Sequence, residues 1–134
     1  MPESTYRYPL GEHERERIAS SSGRPLGAIT LDAVRAGELV PEDLAIHADT
    51  LRAQAAIADQ EGFGQLAANL RRAAELVAVP QDVVLRVYEA LRPYRVTYER
   101  LLALAEELEA TYGAVENARF VREAAAVYRA RRLI

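Results

Sequence analysis

Residues 97–113 read TYERLLALAEELEATYG, and this stretch decides the fold. Leu101, Leu104, Ala105, Leu108 and Tyr112 recur at i, i+3, i+4, i+7 and i+11, the spacing of one helical face. Thr97 is placed to cap the first turn, and Glu99 sits where the helix dipole favours a carboxylate. Gly113 ends the run. Working toward the C-terminus, Val115 to Arg132 is a second helix, with Asn117, Val121, Ala124, Ala125 and Tyr128 on one face. Phe120 and Val127 widen its apolar arc enough to predict two packing neighbours.

Toward the N-terminus the same period continues. A helix is predicted from Pro80, placed at its first position, to Leu91, with Val84, Val87, Tyr88 and Leu91 inward and Pro93 as the stop. Another runs from about Gln65 to Ala78, with Leu66, Leu70, Ala73, Ala74 and Val77 as its stripe, ending as Pro80 approaches. A further helix covers about Asp49 to Glu61 and is broken by Gly62 and Gly64, with Phe63 as an aromatic anchor. His47 stands where a Ser-like cap is usual. Short turns of helix are predicted at Leu31–Ala36, capped by Thr30 and stopped by Gly37, and at 42–44 behind Pro41. No strand pattern persists beyond a few residues. The expectation is an all-α protein of about five main helices, with 30–134 as a single helical domain and short loops joining near-antiparallel neighbours.

Residues 1–29 read differently. Pro2, Pro9, Gly11, Gly23, Pro25 and Gly27 punctuate them, and Glu12 to Arg17 offers at most a polar turn or two of helix. Tyr8, Leu10, Leu26, Ile29 and Leu31 follow no period that would bury them locally. The segment is expected to be an extended or irregular strap whose apolar groups need another surface.

Composition narrows the function. With 134 residues and half of them hydrophobic, the chain is long enough to bury a core without cross-links. A net charge of −3 argues against a nucleic-acid binder, which needs a basic surface. There is no cysteine, so disulfides, thiolate metal sites and cysteine nucleophiles are excluded. The 17 basic residues are all Arg. Met1 to Arg17 lacks the apolar core of a signal peptide, and no apolar run is long enough to span a membrane.

No catalytic constellation emerges. His13 and His47 are far apart, and Glu12-His13-Glu14 lacks the second His of a zinc-protease helix. Glu106, Glu107 and Glu109 are expected on a solvated helix face, and no Glu-x-x-His accompanies them as a bundle di-iron site requires. Ser20, Ser21 and Ser22 lie in no nucleophile elbow or phosphate loop. Gly62-Phe63-Gly64 is too short for a dinucleotide fingerprint. On the Leu70 helix, Arg71 and Arg72 point roughly 100° and 200° from the stripe, Arg71 within reach of Glu75. Leu76, also off the stripe, hints at a second contact surface. Residue chemistry alone points to a binding or subunit role.

The order of phrases goes further. Tyr8-Pro9-Leu10 and Arg24-Pro25-Leu26 are followed by Ile29-Thr30-Leu31, Gly37-Glu38 and Thr50-Leu51-Arg52. Then come Gln54-Ala55-x-Ile57-Ala58, Asn69-Leu70-Arg71-Arg72-Ala73-Ala74-Glu75-Leu76 and Tyr88-Glu89-Ala90-Leu91-Arg92-Pro93. Leu101-Leu102-Ala103, Glu107-Leu108-Glu109, Asn117-Ala118-x-Phe120-Val121-Arg122-Glu123-Ala124 and Val127-Tyr128 complete the set. From Tyr8 to the end, this ordered set resembles the small (gamma) subunit of the adenosylcobalamin-dependent diol and glycerol dehydratases.

The resemblance implies a carbon–oxygen lyase of the hydro-lyase type that turns 1,2-propanediol or glycerol into the aldehyde and water by radical chemistry. It implies a large TIM-barrel (alpha) subunit holding the substrate, a medium (beta) subunit helping to hold adenosylcobalamin, and a dimer of three-subunit units. No catalytic, cofactor-binding or metal residue carries over to this chain, and the isolated chain is expected to be inactive and to bind no cobalamin. No nucleic acid or membrane is implied as a partner. The implied location is the cytoplasm, with enclosure in a protein-shelled microcompartment as the variant. Only seven residues precede Tyr8, which leans toward the free enzyme. The competing reading is a free-standing helical interaction module without an enzyme. The strap from Tyr8 to Leu31 is expected to lie across the large subunit as a main docking element.

Overall fold

The computed structural model describes residues 5–134. Among them are seven α-helices and no strand: α1 Leu10–His13, α2 Leu31–Arg35, α3 Ala48–Gln60, α4 Gly64–Leu76, α5 Gln81–Ala90, α6 Tyr98–Tyr112 and α7 Val115–Ala130. The all-α expectation holds, and the five longer helices fall where periodicity puts them. The chain divides into two compact units between Val77 and Ala78. That division lies inside the stretch expected as one domain, and the N-terminal segment belongs to the first unit.

The first unit is built on the pairing of α3 and α4. Ala55 and Ala58 of α3 and Ala67 of α4 form a buried cluster, with Leu70 packed against it. The loop between them is tight, so the two helices make an αα-hairpin. Arg71 of α4 pairs with Asp59 of α3 across it. The predicted α4 stripe needs correction here: Ala74 is buried as expected, but so is Ala67, which lies outside the stripe, whereas Leu66 and Val77 are exposed. Methyl groups let the two backbones approach closely, so the alanine face is the contact, with Leu70 at its edge and Leu66 and Val77 outside it. Phe63, expected as an anchor, is also largely exposed.

The N-terminal segment corrects the expectation that it cannot bury itself locally. Leu10 is buried. It lines a small crevice together with Ala53 of α3 and, on its other side, a larger groove together with Ile57 and Ala58. Helix α3 is therefore apolar on two faces, one for α4 and one for the segment. Farther along, residues 18–26 form a miniature hairpin: the Ser20 N–H donates to the Arg24 carbonyl (2.9 Å) and the Leu26 N–H to the Ile18 carbonyl (3.0 Å). The Ser21 N–H donates to the Ala45 carbonyl (2.7 Å), which ties this hairpin to the approach to α3. Asp43, itself buried, completes the tie. It accepts from the Ser22 hydroxyl (2.6 Å) and the Val40 N–H (2.9 Å), and the Arg24 guanidinium lies 3.8 Å away.

In the second unit, α6 and α7 form another αα-hairpin. Leu101, Leu104, Ala105 and Leu108 of α6 are buried, as are Asn117, Ala118, Val121 and Ala125 of α7. The core of α6 is thus the predicted one, apart from the half-buried Tyr112. On α7, Phe120 and Val127, which widen the predicted arc, are exposed. The turn between the two helices needs Gly113, whose φ is +65°. There the Gly113 N–H returns to the Glu109 carbonyl and the Ala114 N–H to the Leu108 carbonyl. On α5 the buried set is Val83, Val87 and Ala90: of the predicted stripe Val87 is inside, Val84 and Leu91 are half-buried, and Tyr88 is 70% exposed. Two adjacent apolar stripes satisfy the same period, and the one without a phenol to solvate is inside. Pro80 precedes α5 as its N-cap residue rather than opening it. The C-terminal residues clasp the turn after α5: the Tyr94 N–H donates to the Leu133 carbonyl (2.7 Å) and the Tyr128 hydroxyl to the Leu91 carbonyl (2.7 Å).

Candidate binding surface

An open groove of about 1180 Å³ lies in the first unit. Its floor is Leu10 from the N-terminal segment, Ile57 from α3 and Leu70 from α4. Tyr6 and Tyr8 of the N-terminal segment and Phe63 and Leu66 from the start of α4 also line it. Polar groups are few and peripheral: Arg7 and His13 beside the tyrosines, Gln54 and Glu61 along α3.

The tyrosine wall is held by electrostatics. Glu14 accepts the Arg7 N–H (3.1 Å) and the Arg17 guanidinium (3.1 Å), while Arg17 also lies over the Tyr6 ring at 4.1 Å. These donors, the Arg7 N–H foremost and Arg17 next, hold the Glu14 carboxyl below its usual range. Phe63 and Leu66 are placed by the Gly62 turn: the Phe63 N–H donates to the Ala58 carbonyl (2.7 Å), bringing the start of α4 against the end of α3.

The residues weighed for chemistry are scattered. His13 is exposed at the rim of the groove. His47 caps α3, its Nδ1 accepting the Asp49 N–H (3.0 Å). Ser20 and Ser22 are committed to the Asp43 tie. The acidic run of α6 is not simply solvated. Glu107 takes both terminal nitrogens of Arg86 on α5 (2.8 and 3.1 Å), and Glu106 and Glu109 both pair with Arg122 on α7. Glu107 correspondingly raises the Arg86 pKa, first through the hydrogen bond and then through its charge. Among the described residues no three His, Asp or Glu side chains gather where they could hold a metal ion. No helix there is long and apolar enough to cross a membrane.

What this geometry offers is an open apolar surface for another molecule. Comparison with known proteins says of what kind. Residues 4–134 match the family described as dehydratase small subunit. The chain belongs to the dehydratase small subunit family. Two similar proteins are the propanediol dehydratase small subunits of Salmonella typhimurium and of Citrobacter freundii. Each is 46% identical over 121 residues, covering 90% of this chain and 70% of the relative. A small subunit implies larger partner chains.

The groove was only partly visible in the sequence. Tyr8 stands out there as an apolar group needing a partner and Phe63 as an anchor, but nothing in the period joins them. The overlooked signal is positional: Phe63 immediately precedes a helix, where Ser, Thr, Asp or Asn is usual.

Proposed function

We propose that this chain is the small, non-catalytic subunit of an adenosylcobalamin-dependent diol dehydratase that converts 1,2-propanediol or glycerol into the corresponding aldehyde and water. The observation that carries the reading is the family match across residues 4–134. The large and medium subunits supply the substrate pocket and the cobalamin site, and the assembly is a dimer of three-subunit units in the cytoplasm. The residues of this chain do not fit the cofactor themselves. The groove is walled by phenol, phenyl and leucine side chains, and its one imidazole, His13, sits exposed on a single turn of helix. No step of the reaction is therefore assigned to this chain; its role is to complete the assembly.

The test is co-expression with the cognate large and medium subunits. Aldehyde formation from each diol with adenosylcobalamin is measured with and without this chain. The expected result is full activity only when all three are present, with no activity and no cobalamin spectral change from this chain alone. Equal activity without it, or one-to-one cobalamin binding by the isolated chain, would overturn the reading.

A further inference from the structure

Among the described residues three α-helices take a side-chain cap at the N-terminus. Thr30 caps α2 and Thr97 caps α6 through hydroxyl oxygens, which accept a hydrogen bond at any ordinary pH. At α3 the cap is His47, whose Nδ1 accepts the Asp49 N–H (3.0 Å). An imidazole accepts only while it is neutral; once protonated, both ring nitrogens are donors. The His47 side chain is 41% exposed, so a proton from solvent can reach it. The junction it holds carries more than a turn of helix. Just before it, the Ser21 N–H reaches the Ala45 carbonyl (2.7 Å) and Ser20 bridges to Ile46, which is how the hairpin of residues 18–26 is attached.

We propose that His47 is a proton-operated cap, which holds the start of α3 and the hairpin docked there at neutral pH and loosens both in mild acid. This goes beyond the dehydratase reading and does not depend on it. The direction follows from what the imidazolium meets. It has no acceptor for the Asp49 N–H, and it places a positive charge at the positive end of the helix dipole. Against this stands the Asp49 carboxylate, whose Oδ2 lies 3.8 Å from Nδ1. That carboxylate is 76% exposed and already bound to Arg52 (2.9 Å), and an ion pair so open to water contributes little. The other charged groups around the junction are also engaged. Glu14 pairs with Arg17, both lining a crevice with Asp49 and Thr50, and Asp43 pairs with Arg24. Glu42, in the turn before Ala45, is exposed. The contribution of the cap is therefore complete while the imidazole is neutral and is lost as the pH falls through the imidazole range, between about pH 8 and 5. That window lies above the ordinary carboxylate range.

The test is proton–nitrogen NMR and amide hydrogen exchange of the full chain at about pH 8 and about pH 5.5, with rates corrected for the intrinsic pH dependence of exchange. The Asp49 amide signal should move together with the His47 ring signals. Protection of the first-turn amides of α3 should fall about fivefold in acid, the usual loss for a removed cap, and the Ser21 amide should lose protection alongside them. His47→Ser supplies an acceptor that does not titrate, so its protection should stay near the neutral level of the unaltered chain at both pH values. His47→Ala should match the acid form at both. His13→Gln removes the other imidazole and should leave the response intact. A full pH response in the His47→Ser chain overturns the proposal, as does a response that disappears with His13→Gln. Protection that rises in acid overturns it too, because Asp49 would then hold the imidazolium more firmly than the cap holds the helix. An unchanged Ser21 amide overturns the hairpin's part in it.

Discussion

Asp43 shows how one carboxylate organises the N-terminal third. It is buried, and it receives the Ser22 hydroxyl, the Val40 N–H and the nearby Arg24 charge, in that order of influence on its pKa, which is lowered. A carboxylate with a depressed folded pKa stabilises the fold fully above its unfolded value, near 4, and loses that contribution as pH falls through the folded value. Asp43→Asn should therefore lower the thermal midpoint at neutral pH and flatten the acid limb below about pH 4, read by thermal melts across pH. An unchanged acid limb would remove Asp43 from that role. Backbone conformation gives two further residue-level tests. Tyr94 adopts φ +64° although its side chain is 74% exposed. Since the left-handed region costs a non-glycine residue about 1–2 kcal/mol, Tyr94→Gly should stabilise the isolated chain by up to about 1 kcal/mol once glycine's entropy is set against it. Gly113→Ala should do the reverse, destabilising by about 1–2 kcal/mol. Gly113 was legible because a glycine after a periodic run announces a helix end. Tyr94 was not, because only the clasp by Leu133 reveals the turn it is held in.

At the level of elements, the helices were readable and their rotations only partly so. On α6 the apolar residues form a single stripe of large side chains, so period and burial agree: Leu101, Leu104 and Leu108 are all but inaccessible. On α4 and α5 the sequence offers alternatives. Choosing the bulkiest residues selects Leu66 and Tyr88, which the fold leaves exposed, over Ala67 and Val83, which it buries. Alanine contacts carry little signal in composition, yet they set how closely α3 and α4 pack. The same asymmetry hid the groove, whose apolar walls come from three separate stretches of chain. The difference is measurable. Leu104→Ala should cost about 2–5 kcal/mol, the range for a fully buried leucine. Leu70→Ala, half-buried at the edge of the α3–α4 cluster, should cost clearly less than this. Thr97→Ala should cost about 1 kcal/mol by removing the hydroxyl that accepts the Arg100 N–H. Chemical denaturation of the three variants gives the order, and equal losses at Leu70 and Leu104 would contradict the packing described.

For the molecule as a whole, the N-terminal segment decides how stability is distributed. Read as a strap without a surface, it would be dispensable, and removing residues 1–28 would leave the isolated chain's melting unchanged. The structure reverses that expectation, because Leu10 is buried against α3 and the hairpin of residues 18–26 is tied through Asp43 to the approach to α3. Sequence could not show this. The second apolar face of α3 is Ala53 and Ile57, which by themselves look like incidental residues on a helix already paired with α4. The cost of losing the segment should also be local, because contacts divide the chain at Val77 and the segment lies entirely in the first unit. Leu10→Ala is the gentlest version of the deletion. At about 2–5 kcal/mol for a buried leucine, it should raise the opening equilibrium of α3 and α4 by roughly thirtyfold or more. Amide hydrogen exchange resolves the two units separately. Protection should fall across 48–76 in the Leu10→Ala chain and more steeply in the chain lacking 1–28. The amides of α6 and α7, shielded by Leu101, Leu104, Leu108 and Val121, should keep theirs in both. Unchanged protection of α3 would return the segment to the status of a detachable strap, and an equal loss in α6 and α7 would mean that the two units open as one.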